Sequence, residues 1–325
     1  MAQVTTIANF DNILTSTIQH IQDELATQWH NDHGGLYALR VFGGFEEYVG
    51  GDNIFENLNT TRDDSVKSRG RNATIALNEL QHLRPAEFEP KVLNGAIALN
   101  EFDLASNRGP QEVIDMWDSR KNNAILTMKD EFNRQFFQGV GTVDEFGGAN
   151  LIVSSAPTTG TVGGIDRSVA ANSFWRNQIT SSVGSFAAGG VDAFRTMYNK
   201  CARGALSNHT DVIITDQTTH EAYEKTQVGN QRYQNPSARA LADGSFDALA
   251  FKNSAVLWDF EMQSGEAVFL NFKCFKYKVN SMFNFAVKPP KASDDQFVIS
   301  SLLATFGNYC TNAPRYLGRL TGITA

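Results

Sequence analysis

Only three cysteines occur in 325 residues. Cys201, Cys274 and Cys310 are odd in number and far apart, without any Cys-x-x-Cys spacing. A disulfide framework is therefore not expected, and the thiols are read as reduced. Proline is scarce as well, at 8 residues, and no apolar run reaches the roughly 18 residues of a membrane span. The richest stretch, 297–306, is broken by Ser and Thr, so no membrane partner is expected. Residues 1–12 lack both the basic start and the continuous apolar core of a secretory signal. Positive charge is also in deficit: Lys and Arg total 28 against 35 Asp and Glu, a net charge of −7. That balance argues against a surface built mainly to grip nucleic-acid phosphates.

Catalytic wording is missing too. The sequence holds no His-Glu-x-x-His, Gly-x-Ser-x-Gly or Gly-x-x-x-x-Gly-Lys, and its glycine pairs lack the strand-to-helix setting of a dinucleotide fingerprint. His30, Asp32 and His33, with His20 ahead of them, form the tightest metal-like cluster, yet it runs into Gly34-Gly35, where rigid ligands are not expected. The acid pairs Glu46-Glu47, Asp63-Asp64 and Asp294-Asp295 put neighbouring carboxylates on different sides of the chain, so they are read as solvated charge. No catalytic residue, cofactor or metal is expected, and the chain is not expected to be an enzyme.

What is present is enough apolar material, 42% of residues with 23 Phe, to build about two packed units. Phe10, Ile13, Leu14, Ile18, Ile21, Leu25 and Trp29 recur at helical spacing and predict an amphipathic helix that must dock on something. Residues 31–90 change texture, with glycine pairs and short alternating stretches that suggest an extended β excursion. Its centre, 62–71, concentrates Arg62, Lys67, Arg69 and Arg71 around Gly70. Such a tip is either a solvated loop end or a dock for an acidic patch on a neighbouring subunit.

Pro110 and Gly139 bracket the longest helical pattern, 110–138, with Ile114, Trp117, Ile125, Met128, Phe132 and Phe136 on one face. Glycine is expected at its end for access to positive φ. A glycine-rich crossing, 140–178, follows, and then an α/β unit: a helix carrying Val191, Phe194, Tyr198 and Cys201, a buried strand over 211–216, a helix over 217–227 and β texture over 248–260. Two long strands, 267–279 and 297–306, close the pattern. In the first, alternation switches parity at Cys274, which predicts a β-bulge.

This order of parts, with the run Thr161-Val162-Gly163-Gly164-Ile165-Asp166-Arg167-Ser168, then Phe174-Trp175-Arg176-Asn177-Gln178, resembles the tailed-phage (Caudoviricetes) major capsid proteins of the Hong Kong 97 phage fold. Gln231-Arg232-Tyr233, Phe251, Asp259, Phe269-Leu270-Asn271 and Asn312-Ala313-Pro314-Arg315 before Gly318 add to the likeness. The first hundred residues match by architecture only. The resemblance implies an α+β fold: N-terminal arm 1–34, E-loop hairpin 35–90, P-domain 91–147 with spine helix 110–138, α/β A-domain 148–264, and P-domain strands with a C-terminal return 265–325.

It further implies a coat protein that self-assembles as hexamers and pentamers into an icosahedral shell around packaged double-stranded DNA, bound without sequence specificity. A scaffolding protein, a portal protein at one vertex and a decoration protein are the implied partners. The implied location is the virion capsid, assembled in the bacterial host cytoplasm. With a helix beginning near Asn9 there is little room for a cleaved scaffolding segment, so a separate scaffolding protein is expected. Arg62, Lys67, Arg69 and Arg71 become the expected intersubunit contact at the E-loop tip, and Lys67 is the lysine that a shell cross-link would use. Two alternatives stand beside this reading: an encapsulin-like compartment subunit, and an α/β enzyme with its site in 187–260.

Overall fold

A computed structural model describes residues 33–63, 65–72, 82–106, 116–204, 209–227, 249–293 and 296–324. The amphipathic stretch 9–29, the Gln231-Arg232-Tyr233 phrase, Pro110 and Asp294-Asp295 lie outside the described residues, as do His20, His30 and Asp32. The described chain divides into two compact units, one gathering Val92–Asn133 and Asn280–Phe306, the other His33–Lys91, Arg134–Val279 and the chain from Gly307 onward.

In the first unit, the long strand Val298–Thr311 begins as the shared partner of its neighbours. Strand Ala286–Val287 pairs with it antiparallel (Ala286 opposite Ala304), as does Lys291–Ala292 (Lys291 opposite Ser300), and Lys91–Asn100 also pairs with it. Along Lys91–Asn100 the side chains alternate, with Ile97 and Leu99 buried while Asn94, Ala96 and Ala98 face water. That is the period of two of a half-buried strand. The helix expected over 110–138 is present through its described part, Met116–Gln138, a rod of about 35 Å at 1.5 Å per residue. Its Arg120 donates to the Ala98 carbonyl at 2.8 Å, and Phe132 meets Phe285 edge-on at 5.4 Å.

The second unit is centred on a mixed six-stranded sheet with the order Leu249–Phe251, Ser254–Trp258, Val212–Thr215, Ala267–Leu270, Gly318–Leu320 and Gln178–Thr180. Every residue of Val212–Thr215 and of Ala267–Leu270 is buried, so both faces of the middle of the sheet are covered. Helices Phe186–Lys200 and Gln217–Gln227 supply one cover, packing Phe186, Phe194, Met197 and Tyr223 against Phe251 and Phe269. Phe194 alone meets Phe186, Phe269 and Tyr223 at 5.3, 5.6 and 5.7 Å between ring centroids.

Two expectations need correction. The parity switch at Cys274 is a tight turn rather than a β-bulge: the Asn271 carbonyl accepts from Cys274 N at 3.0 Å and from Phe275 N at 2.9 Å. The chain leaves one sheet at Leu270 and enters another with Phe275–Asn280, which pairs antiparallel with the end of the long strand, Tyr277 opposite Tyr309. Changing sheets accomplishes what a one-residue slip would, exchanging the faces on which apolar side chains fall. Gly139 does follow the long helix, but its φ is not positive. It is needed for close approach: a Cβ there would lie 2.4 Å from the carbonyl oxygens of Gln135 and Phe146.

Candidate assembly surface

Ile54–Asn59 and Leu83–Phe88 form an antiparallel hairpin stem in strict register, Ile54 opposite Phe88 and Leu58 opposite Arg84. Opposed residues share a face, so one face carries Ile54, Glu56, Leu58, Arg84, Ala86 and Phe88. Four of these, Ile54, Leu58, Ala86 and Phe88, are buried. Phe55, Asn57, Asn59, Leu83, Pro85 and Glu87 lie on the other face, and all six are exposed.

The buried face is held at two places. At the first, Glu56 pairs with Lys278 at 2.6 Å. Lys278 reaches Glu46 at 3.5 Å, and Glu46 takes Lys276 at 2.6 Å. Glu46, read from sequence as solvated charge, is thus the middle of an ion-pair chain that joins strand Phe45–Tyr48 and the hairpin stem to Phe275–Asn280. The hydrogen bond from Lys276 and the charges of both lysines hold the Glu46 carboxyl below the usual carboxylate range. Burial works against the charge of Lys278, but the hydrogen bond and charge of Glu56, with that of Glu46, outweigh it and raise its pKa. These side chains, with Lys273, Cys274, Cys310 and Asn312, line a polar cavity of about 180 Å3.

The second hold is the crossing segment whose wording carried the sequence resemblance. Thr161–Val162 and Ile165–Asp166 pair through a turn in which Gly163 (φ 57°) and Gly164 (φ 70°) take the left-handed conformation that glycine adopts most easily. The Gly163 carbonyl accepts from Glu87 N at 3.0 Å, and a Cβ at Gly163 would lie 2.9 Å from the Phe88 ring. Arg84 donates to the Asn172 side chain at 2.9 Å. Beneath the turn, Arg167 is almost fully buried and donates to the carbonyls of Ile152 (2.6 Å) and Leu151 (3.2 Å). Burial pushes its pKa down to about 10. Trp175 Nε1 donates to the Val162 carbonyl at 2.8 Å, and Arg176 donates to the Arg167 carbonyl. The motif Gly163-Gly164-Ile165-Asp166-Arg167 therefore builds a bracket for the hairpin.

Beyond the stem, Arg62, Lys67, Arg69 and Arg71 are all exposed, none in an ion pair among the described residues, and Val66 beside them is 74% exposed. The tip is a loop in which Ser65 N donates to Asp63 at 2.8 Å. Sequence reasoning missed a further cation, Arg319. It is buried and donates to Glu266 (Nε at 2.8 Å), Gln263 (2.8 Å), Asn150 (2.8 Å) and the Val153 carbonyl (3.2 Å). It fastens strand Gly318–Leu320 to surrounding loops; an Arg in a three-residue strand gives no sequence signal of that.

Among the described residues no group of three or more His, Cys, Asp or Glu is placed to hold a metal ion, and no helix is long and apolar enough to cross a membrane. All three cysteines are buried, with burial pushing Cys201 up to about 12 and Cys274 up to about 11. None of the residues lining the polar cavity belongs to 187–260.

No family model matches the sequence, and no curated protein matches it. Solved structures match along nearly the whole chain. The cyanophage A-1(L) capsid is similar at a TM-score of 0.67 and 15% identity, over 95% of this chain and 97% of that one. The capsid of Myoviridae phage XM1 is similar at 0.58 and 12% identity, over 94% and 97%. The holo-SrpI encapsulin complex from Synechococcus elongatus is similar at 0.54 and 8%, over 92% of each chain. The fold is accordingly the α+β, Hong Kong 97-like fold of tailed-phage capsid proteins.

Proposed function

We propose that this chain, having that fold, is a major capsid protein whose copies self-assemble as hexamers and pentamers into an icosahedral shell around the packaged double-stranded DNA of a tailed phage. The observation that carries the reading is likeness from end to end, 95% of this chain on 97% of a cyanophage capsid chain. The hairpin supports it. Large apolar side chains and four exposed cations, none in an ion pair among the described residues, stand on an element whose other face is occupied, as expected of a surface made for repeated contact between copies. A net charge of −7 suits a container that must let its genome run out.

In this reading 1–34 is the N-terminal arm, 35–90 the E-loop, 91–147 and 265–325 the P-domain and 148–264 the A-domain. A scaffolding protein acts during assembly, a portal protein occupies one vertex, and the finished surface is open to a decoration protein. The subunit has no catalytic role; it is assembled in the bacterial cytoplasm and resides in the virion capsid. Expression alone and with the scaffolding protein, followed by electron microscopy, should show closed shells. Small monodisperse particles under every assembly condition would sink the proposal. The encapsulin likeness favours a second reading, a cargo compartment. Native particles filled with DNA support the first reading, and particles filled with protein the second.

A further inference from the structure

The polar cavity beside the hairpin stem holds more positive charge than its ion pairs use. Part of its lining comes from one face of the pairing between Phe275–Asn280 and the long strand, where Lys276 lies opposite Cys310. Asn312 N donates to the Cys274 carbonyl at 3.2 Å, so Cys274 and Asn312 extend that face by one more pair. Glu46 and Glu56 reach the cavity from Phe45–Tyr48 and from the stem, and Lys273 enters from the turn before Cys274. Both carboxylates are taken: Glu56 meets Lys278 at 2.6 Å, and Glu46 meets Lys276 at 2.6 Å and Lys278 at 3.5 Å. Lys273 is exposed and in no ion pair among the described residues. The two thiols are neutral, burial pushing Cys274 up to about 11 and Cys310 higher still. Lys273, Lys276 and Lys278 against Glu46 and Glu56 therefore leave the lining with a positive excess, on a chain whose net charge is −7.

We propose that this cavity binds a small tetrahedral oxyanion, free phosphate or sulfate, held by Lys273, Lys276 and the side-chain amide of Asn312. An ammonium carries three N–H donors, and Lys276 gives one of them to Glu46, so donors are left for a guest. Charges lining a concave surface act together on an ion that enters it. The volume of about 180 Å3 is several times the roughly 30 Å3 share of one liquid water, enough for such an anion. The guest shares Lys276 with Glu46, so anion and carboxylate compete for one ammonium. A nucleic-acid backbone offers the same chemistry, but its phosphate carries one charge rather than two and a sugar on either side. The site belongs to the subunit itself and stands whether or not copies of it form shells.

Calorimetric titration of the full chain with inorganic phosphate, near neutral pH and at constant ionic strength against chloride, should show a single saturable site. Lys273→Met should weaken it roughly tenfold or more, the share of a charge-assisted hydrogen bond. Lys273→Gln, which removes the charge and keeps a polar side chain, should weaken it alike. Glu46→Gln should bind phosphate more tightly than wild type, because Lys276 is released. Lys273 is exposed, so its variants should melt with the wild type in chloride, and added phosphate should raise the wild-type melting temperature by more than theirs. No heat beyond the chloride control would overturn the site. Binding that both Lys273 variants leave unchanged would also overturn it, as an adventitious ion only. Equal affinity in Glu46→Gln would overturn the competition for Lys276. An oligothymidylate that displaced phosphate at equal affinity would overturn the free anion as the guest.

Discussion

The six-stranded sheet and the hairpin stem are both made of short strands, yet one is finished within the chain and the other is not. Val212–Thr215 and Ala267–Leu270 bury every side chain, under helices whose Phe194 and Tyr223 interlock with Phe251 and Phe269. The stem buries Ile54, Leu58, Ala86 and Phe88 on one side and leaves Phe55 and Leu83 in water on the other. The sheet has the burial of a self-sufficient core. The stem has half of one, and its missing half is the argument for a partner.

The largest test of this contrast is to break the sheet. Gly318–Leu320 lies between Ala267–Leu270 and Gln178–Thr180, and Arg319 secures it through Glu266, Gln263 and Asn150. Arg319→Ala leaves Glu266, itself largely buried, without its counter-charge, and removing one member of such a pair costs about 3–5 kcal/mol. Urea denaturation should show that loss. Arg319→Met with Glu266→Leu should recover most of it, because replacing both members of a buried pair with apolar groups is often neutral. A single variant as stable as wild type would mean that this strand is not needed to complete the sheet.

Acid sharpens the comparison at smaller cost, because it acts on the two regions with opposite sign. The folded pKa of Glu46 is lowered below the ordinary carboxylate value of 4.5 by Lys276 and Lys278. Its contribution is complete above that value and is lost as pH falls through the folded one. The Glu46 side chain is 40% exposed, so solvent screening keeps the loss below about 1 kcal/mol. Lys278, raised above 10.5, contributes below that value and loses its contribution as pH rises through the folded one. Asp211, beside the sheet, is raised above 3.8 by burial, so acid favours its folded state. Hydrogen exchange at about pH 3.5 against about pH 6, corrected for intrinsic rates, should loosen 45–59 while 211–215 holds. Equal loosening of both segments would remove the ion-pair chain as a local hold on the hairpin.

How much of this was legible beforehand depended on the range of the interactions. Gln217–Gln227 and the end of the long helix at Gln138 were readable because local period and a following breaker or turn mark them. The fold class came through the resemblance, which the order of parts and the wording of 161–178 carried together. The handover at 271–274 was misread because a parity switch is the same in sequence whether the strand bulges or the chain changes sheets. Glu46, Glu56 and Lys278 looked like ordinary surface charge; they meet only because Phe45–Tyr48 and Ile54–Asn59 converge on Phe275–Asn280, far along the chain. Gly318–Leu320 and Gln178–Thr180, at three residues each, are too short to show any period, so their place depends wholly on non-local partners. The tip was legible as a basic cluster, and the stem's division into a held and a free face was not.

The smallest expected effect on the subunit falls at that tip. Arg62, Lys67, Arg69 and Arg71 are exposed and unpaired among the described residues, so changing all four to Ser should move the stability of the isolated chain by no more than about 0.5 kcal/mol. Assembly should respond differently. Four cations meeting an acidic surface on another copy act through charges screened over about 8 Å at physiological ionic strength. The variant should therefore assemble more slowly than wild type in low salt, with the gap closing as salt is added, when followed by light scattering. A drop in stability would place the tip with the sheet, as part of what the chain completes alone. Equal assembly rates at every salt concentration would leave the outward face of the stem, with Phe55 and Leu83, as the contact and the tip as a solvated loop end.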